Sequence, residues 1–395
     1  MTESMNKSNW SGVLAMTLCV FALVASEFMP VSLLSSLSSD LSVTEGMAGQ
    51  GISISGVFAV ITSLTLSSLA RNVDRRHLLL GMTLLMALSS TIIGLAPNYL
   101  VYMIGRIFIG IAIGGFWSMS AATAIRLVSP RHIPKALAIF NSGNALATVI
   151  AAPLGSYLGA IIGWRGAFLL LIPVSLIAFL WQWLVLPSMQ AKSDPGQTSS
   201  ALGLLKHRVV LIGMAACGLF FMGQFALFTY LRPYLETVTH ISAPRISLTL
   251  LVIGVSGFAG TLLIGKALKA GFYQTLIIIP LLMAIIAAVL IGVGANTAIV
   301  VSALGVWGLI ATAAPVGWWS WVANTFENEA EAGGGLMVAV VQLSIALGST
   351  VGGVAFDSSG YRGAFSLSAG ILLLAALMGM MTWHSTKNVN KASTR

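Results

Sequence analysis

Twelve apolar stretches of roughly twenty residues or more follow one another along this chain, separated by short polar loops. A bilayer asks for about 20 apolar residues per helical crossing. The stretches run over residues 11–37, 47–70, 78–96, 100–125, 134–162, 166–186, 209–231, 244–265, 273–294, 297–322, 333–356 and 364–383. In hydrocarbon every backbone N–H and C=O must be paired inside the protein, which restricts such segments to helices. The pattern therefore predicts an all-α integral membrane protein with twelve transmembrane helices. Composition agrees, since the chain is 57% hydrophobic and only 8% charged, against about 25% charged residues in soluble domains. Pro30, Pro153, Pro173, Pro280 and Pro315 fall inside apolar stretches, where membrane helices tolerate proline better than soluble ones do.

The net charge of +9 would suit a nucleic-acid binder, but the basic residues sit in the short loops. There they act as topology signals. With the N-terminus taken as cytoplasmic, Lys7, Arg71, Arg75, Arg76, Arg126, Arg131, Lys135, Lys192, Lys206, Arg208, Lys266, Lys269, Lys387, Lys391 and Arg395 all fall inside. Only Arg165, Arg232, Arg245 and Arg362 fall outside, and Arg106 lies within a span. Fifteen against four obeys the positive-inside rule. Both termini are then cytoplasmic. The first apolar stretch lacks a small-residue cleavage site at its end and is expected to be retained as a span. Cys19 and Cys217 both lie in apolar segments, so neither a disulfide framework nor a metal-ligand spacing is present. A phosphate-binding glycine loop, a metal cluster and a nucleophile triad are all missing from the sequence, so an enzyme is not expected, nor a cofactor, nor ATP as an energy source.

The two halves of the chain repeat. A shift of 197 residues lays Gly163-Trp164-Arg165-Gly166-Ala167-Phe168 on Gly360-Tyr361-Arg362-Gly363-Ala364-Phe365. The same shift lays Gly155 on Gly352 and Glu27-Phe28 on Gln224-Phe225. One shift linking distant places implies a parallel duplication, with two six-helix halves and a cavity at their interface. The boundaries read as 1–186 for the first half, 187–208 for a polar linker and 209–395 for the second half.

Glu27 is the only acidic residue inside an apolar span. A carboxylate at membrane depth costs a few kcal/mol or more and marks a functional site by default. Desolvation disfavours its charged form and brings proton exchange toward neutral pH, as a proton-coupled carrier requires. The alternative is a protonated Glu making one structural hydrogen bond between helices. Arg106, Gly110, Gly114 and Trp117 recur at helical spacing on one face of the fourth span. The small residues there leave room for a partner helix. Counted from the outer ends of their spans, Glu27 and Arg106 reach a similar depth. An Arg beside the acid opposes the desolvation effect; its alternative role is a structural ion at a helix interface.

Three motifs carry a resemblance that covers the whole chain. They are Glu27-Phe28-Met29-Pro30-Val31-Ser32-Leu33-Leu34 in the first span, Arg106-Ile107-Phe108-Ile109-Gly110 in the fourth, and Gly143 followed by Ala152-Pro153-Leu154-Gly155 and Gly159 in the fifth. With them the chain resembles the major facilitator superfamily, in its twelve-span drug:proton antiporter branch. The resemblance implies the major facilitator fold, export rather than import, proton coupling through Glu27 and Arg106, and an antiporter motif at Gly143, Pro153 and Gly155. The loop between the second and third spans departs from the family pattern: Arg71 stands where Asp is usual and Asp74 where Gly is usual. Gating by Asp74, Arg75 and Arg126 is the implied role, with an Asp74–Arg126 pair as one possibility and simple topology enforcement by the arginines as the other.

More narrowly, stretches in both halves, including Gly114-Gly115-Phe116-Trp117 and Thr229-Tyr230-Leu231-Arg232-Pro233, resemble bacterial purine ribonucleoside exporters. That implies a small polar neutral substrate, protons and the lipid bilayer as partners, an inner-membrane location and a monomer. Asn141, Asn144, Gln224 and Gln342 offer uncharged donors and acceptors for purine edges or sugar hydroxyls, or else serve as interhelical glue. Phe116, Trp117, Phe225, Phe228 and Trp307 are candidates to stack on a base. Sugars and uncharged drugs such as chloramphenicol satisfy the same groups. An uncoupled facilitator and a membrane sensor without transport remain the other function classes.

Overall fold

The computed structural model describes residues 8–69, 73–129, 132–189, 201–325 and 330–393. Among the described residues the regular structure is helical, without a strand. In the first part of the chain the helices are α1 (Trp10–Asp40), α2 (Glu45–Leu69), α3 (Arg75–Gly94), α4 (Tyr99–Arg126), α5 (Ile133–Leu169) and α6 (Leu171–Val185). After a short 3-10 turn at Ala201–Lys206 come α7 (Arg208–Phe228), α8 (Leu231–Thr237), α9 (Ala243–Ala270), α10 (Phe272–Val293), α11 (Thr297–Ala311), α12 (Ala314–Thr325) and α13 (Ala330–Ser393). Polar side chains start several of them. Asn9, Asn98 and Asn296 each accept from the backbone N–H three residues on, at 2.9, 3.0 and 3.2 Å. Such caps satisfy amides that a helix start leaves open.

Ten helical tracts are long and apolar enough to cross a membrane. Two of these, Lys135–Val185 and Gly333–Lys387, hold 51 and 55 residues, far beyond the ~30 Å of a hydrocarbon core at ~1.5 Å per residue. Each therefore holds two spans, which brings the described residues to the twelve expected. Each long tract contains one glycine with non-helical backbone, Gly163 (φ 72°) and Gly360 (φ 63°). These are the first residues of the repeated hexapeptide, so the repeat read in the sequence recurs in the backbone. The side chains that follow repeat as well: Arg165 lies 4.3 Å over the Trp164 ring and Arg362 lies 5.9 Å over Tyr361.

Prolines separate into two groups. Pro30, Pro153 and Pro280 remain inside α1, α5 and α10, and Pro173 sits at the third position of α6, where no amide is missed. Pro233 and Pro315 instead follow breaks: α7 stops at Phe228 before α8, and α11 stops at Ala311 before α12. A proline cannot donate to the carbonyl four residues back, and here the chain yields one turn upstream. The tenth apolar stretch is thus two helices rather than one, while the seventh is α7 with α8 beginning at its last residue.

The chain divides into two compact units, Met1–Val43 with Ile54–Pro195, and Thr44–Ser53 with Gly196–Arg395. In the first, α1 is the central element, packed mainly on α5 and also on α6, α4 and α3. Its core is built from Val13, Met16, Val20, Leu23, Ile109, Ile113, Phe116 and Phe140. In the second, α7 packs along α13, α10 along α13, and α9 along α11. Within that unit Asp357 caps the start of α2, accepting from the Gly46 N–H at 2.9 Å and the Thr44 hydroxyl at 2.6 Å. Many large apolar side chains point outward, among them Leu184, Leu262, Leu100 and Val354 at 80, 68, 69 and 64% exposure. On a water-soluble surface such coverage would drive association; on helices of this length it is the lipid-facing side.

Candidate functional site

The candidate site builds up from α1. Glu27 is 5% exposed and Arg106, from α4, is fully buried. The guanidinium of Arg106 reaches across to the backbone of α1. Its Nη1 donates to the Ser26 carbonyl at 3.0 Å, and Nη2 donates to the Glu27 carbonyl at 3.1 Å and to the Ser55 hydroxyl of α2 at 2.9 Å. Burying a guanidinium is tolerable only when its donors are taken up, and main-chain carbonyls take up two of them here. Arg106 and Glu27 also interact electrostatically. The similar depth read from the sequence is matched by a direct meeting of Arg106 with one turn of α1.

Glycines on α4 and α5 set how close the helices come. A Cβ on Gly110 would lie 2.3 Å from the Ser55 carbonyl oxygen, and one on Gly114 would lie 2.2 Å from that of Ala59. The small face of α4 therefore seats α2, and Arg106 at its end reaches Ser55. On α5, Gly143 lies under the Thr17 carbonyl, where a Cβ would come within 2.3 Å, and Gly155 lies against Ser32 and Met29. Gly143, Pro153 and Gly155 thus belong to the helix that packs along α1 on both sides of Glu27.

The second unit holds the equivalent of Glu27 without its charge. Gln224 on α7 is half-buried, and its side-chain Oε1 accepts no hydrogen bond. Next to it Phe225 meets Phe228 edge-on, with centroids 6.1 Å apart. Gln342 on α13 is buried at 6% exposure. Trp307 on α11 is buried at 1%, with its indole N–H unpartnered. The α7–α13 packing repeats the α1–α5 packing: Gly352 lies against the Ala226 carbonyl as Gly155 lies against Met29.

Other candidates are dispersed. Phe116 is 1% exposed inside the core of the first unit, and Trp117 is half-buried, edge-on to Phe140 at 6.1 Å. Asn141 is exposed, its amide donating back to the Leu137 carbonyl at 2.9 Å, and Asn144 is half-buried.

The loop candidates are arranged differently from the pair considered in the sequence. Arg71 lies outside the described residues. Asp74 caps α3, accepting from the Arg76 N–H at 2.8 Å, the Met189 N–H at 2.9 Å and the Ser188 hydroxyl. Arg126, exposed at the last turn of α4, makes no ion pair with it. The capping amides compete better because they are adjacent and fixed by the helix start. Desolvation pushes the Asp74 carboxyl up, but the bonds from Ser188, Met189 and Arg76 outweigh it and hold the group below its ordinary value. Arg76 Nη2 further donates to the Trp183 carbonyl at 2.5 Å, so the start of α3 is fastened to the end of α6. Sequence reasoning missed Ser55 and the Arg165–Asp40 ion pair at 2.5 Å. A serine is silent in a polar or apolar pattern, and an ion pair between helix residues 125 positions apart has no local signal.

The Major Facilitator Superfamily model matches residues 16–349. The "Transcription regulatory protein OpdE" of Pseudomonas aeruginosa is 61% identical over 380 residues, covering 95% of this chain and 94% of that one. The "Purine ribonucleoside efflux pump NepI" of Salmonella paratyphi C is 36% identical over 376 residues, covering 95% and 94%. The fold is similar to that of the crystal structure of the nucleoside transporter NupG, with a TM-score of 0.78 at 14% identity, over 95% of this chain and 100% of that one. The family model and the efflux-pump relative indicate a transporter rather than an enzyme, and the chain belongs to the Major Facilitator Superfamily.

Proposed function

We propose that this protein is a proton-coupled exporter of a small polar neutral molecule, with purine ribonucleosides as the substrate class, acting by alternating access in a bacterial inner membrane. The observation that carries the coupling is Glu27, buried in α1 on the turn that Arg106 grips. An ionisable residue at that depth marks a functional site by default, and a carboxyl group there can carry a proton. One elementary charge crossing 100 mV is worth about 2.3 kcal/mol, enough to drive accumulation when exchange is electrogenic. The substrate class is supported by the 36% identical efflux pump. It is further supported by uncharged polar and aromatic groups at Gln224, Phe225, Phe228, Gln342 and Trp307, which suit a flat base and its hydroxyls. Asn141, Asn144, Phe116 and Trp117 are the corresponding candidates in the first unit. In everted vesicles, inosine or guanosine uptake should require an inward-acid gradient and collapse with an uncoupler. Uptake of sugars or chloramphenicol in its place would reassign the substrate, and uptake indifferent to the uncoupler would remove the coupling.

A second reading is favoured by the 61% identical relative named a transcription regulatory protein. An exporter alters transcription without touching DNA when its cargo is an inducer, because export lowers the inducer's cytosolic concentration. Glu27→Gln should then abolish transport and the transcriptional effect together. Transcriptional control retained by a transport-dead variant would make the chain a sensor instead.

A further inference from the structure

A groove of about 420 Å³ runs between α7 and α13 in the second unit. Leu211, Ala215, Gly218 and Met222 line it from α7, and Val340 and Ser344 from α13. The α7 residues recur every three or four positions, so they form one stripe along the helix. Arg208 stands three residues before Leu211 and continues that stripe, next to Lys206 and His207. All three are exposed, and among the described residues none of them forms an ion pair. Leu205, in the 3-10 turn beside them, also lines the groove. We propose that the groove holds one acyl chain of an anionic phospholipid, whose phosphate rests on Lys206 and Arg208.

Length and chemistry both point to a lipid. Leu211 and Met222 are eleven residues apart, about 16 Å at ~1.5 Å per residue. One leaflet is half of the ~30 Å hydrocarbon core, about 15 Å. A single chain therefore fits the groove from end to end with its phosphate level with the cations. The rim is apolar and open. Leu211 is 52% exposed, and Leu343 and Leu347, which share a face of α13 with Val340 and Ser344, are each 44% exposed. Among the six lining residues named, Ser344 alone offers a hydroxyl, so a nucleoside seated here would leave most of its polar edge unpaired. Gln224, proposed for that substrate, lies two residues past Met222 and so about 200° around α7. The positive-inside rule places the Arg208 end at the cytoplasmic surface, where anionic headgroups concentrate. A guanidinium binds two phosphate oxygens in parallel, and a lysine adds a point charge.

The first half of the chain is an internal control. Under the 197-residue shift Lys206, His207 and Arg208 fall on Asn9, Trp10 and Ser11, Gly218 falls on Phe21, and Val340 falls on Gly143. There the polar groups are neutral and engaged: Asn9 Nδ2 donates to the Val185 carbonyl at 2.6 Å, and the Ser11 hydroxyl accepts from the Trp181 indole at 2.9 Å. Phe21 packs against the core where Gly218 has no side chain. Gly143 lets α5 close onto α1, since a Cβ on it would come 2.3 Å from the Thr17 carbonyl oxygen. Val340 has a branched side chain at that place, and a small residue is what such an approach requires. Further along, Gly348 brings α13 back to α7, where a Cβ would lie 2.3 Å from the Met222 carbonyl oxygen. The groove thus closes at Met222 and opens toward the cations. The basic residues and the glycine that shape the site occur together in one half and are replaced together in the other.

The test uses the purified full-length protein in detergent with phosphatidylglycerol or phosphatidylcholine that carries a photoreactive group in one acyl chain. Phosphatidylglycerol should label the peptides that hold Ala215 and Val340, well above the level reached by phosphatidylcholine. Lys206→Gln and Arg208→Gln should each weaken that labelling about fivefold, what one basic residue near an anionic leaflet is worth. Ala215→Phe, at an exposed position, should block the groove and remove the labelling with both cations intact. Excess inorganic phosphate or inosine should leave the labelling unchanged. Equal labelling by the two lipids, or labelling that survives Ala215→Phe, overturns the proposal. So does displacement by inorganic phosphate, which would leave a plain anion site, or by inosine, which would make the groove part of the substrate path. The charge variants alter only exposed side chains, so a folding failure of Ala215→Phe leaves the comparison of headgroups to decide the outcome.

Discussion

Gly163 and Gly360 stand 197 residues apart and hold the same backbone geometry, with φ 72° and 63° and ψ 166° and −161°. That region of backbone space is open essentially to glycine alone. Each glycine lets a long apolar helix end and the next begin within a turn, so one local requirement is met twice by duplication. Gly163→Ala and Gly360→Ala should each destabilise the protein by about 1–3 kcal/mol. Neither Cβ would meet a neighbouring atom within 4 Å, so the cost comes from the backbone and not from packing. Thermal unfolding in detergent checks this, with Gly265→Ala as the comparison, because that helical glycine also faces open space and should tolerate alanine.

Close helix contact makes a separate demand at Gly110. A Cβ there would come 2.3 Å from the Ser55 backbone oxygen, which no rotamer change relieves. Gly110→Ala should push α2 from α4 and cost about 1–3 kcal/mol, the usual range for overpacking. It should also lengthen the Arg106–Ser55 bond. A thermal unfolding midpoint equal to that of the unmodified protein would count against the packing shown here.

Glu27→Gln should leave the fold and thermal stability nearly unchanged, since Gln keeps the shape of a protonated Glu. Gradient-driven export should fall to background, while binding or downhill exchange persists. The measurement is everted-vesicle uptake with and without a proton gradient. Full gradient-driven uptake by the variant would remove Glu27 from the coupling mechanism.

At the start of α3, Asp74→Ala should cost about 1 kcal/mol, as the loss of a helix cap does. The pH dependence has a definite sign. The folded carboxyl lies below its ordinary value, so its stabilisation is complete above the unfolded value of about 3.9. It is lost only as pH falls through the folded value. From pH 5 to 8 the stability difference between Asp74→Ala and the unmodified protein should be constant, and it should shrink below about pH 4. A difference that changes near neutrality would mean another group carries the effect.

Several decisions about this protein are written in one dimension. The number of spans follows from segment length, because hydrocarbon leaves an unpaired backbone no alternative to the helix. The duplication is legible because the turn around Gly163 and Gly360 tolerates so few residue types. Glu27 stands out because its surroundings in sequence are its surroundings in the membrane. The three-dimensional fold alone decided what Arg106 touches, since its partners lie 80, 79 and 51 residues away and two of them are main-chain carbonyls, which no sequence pattern marks. It also decided that Asp74 caps a helix instead of pairing with Arg126, and that the helix breaks ahead of Pro233 and Pro315 but runs on through Pro30. Those outcomes turn on which donors lie within hydrogen-bond reach of a few specific oxygens. Reach of that kind is fixed by helices packing against one another, after the sequence has done its work of making them helices.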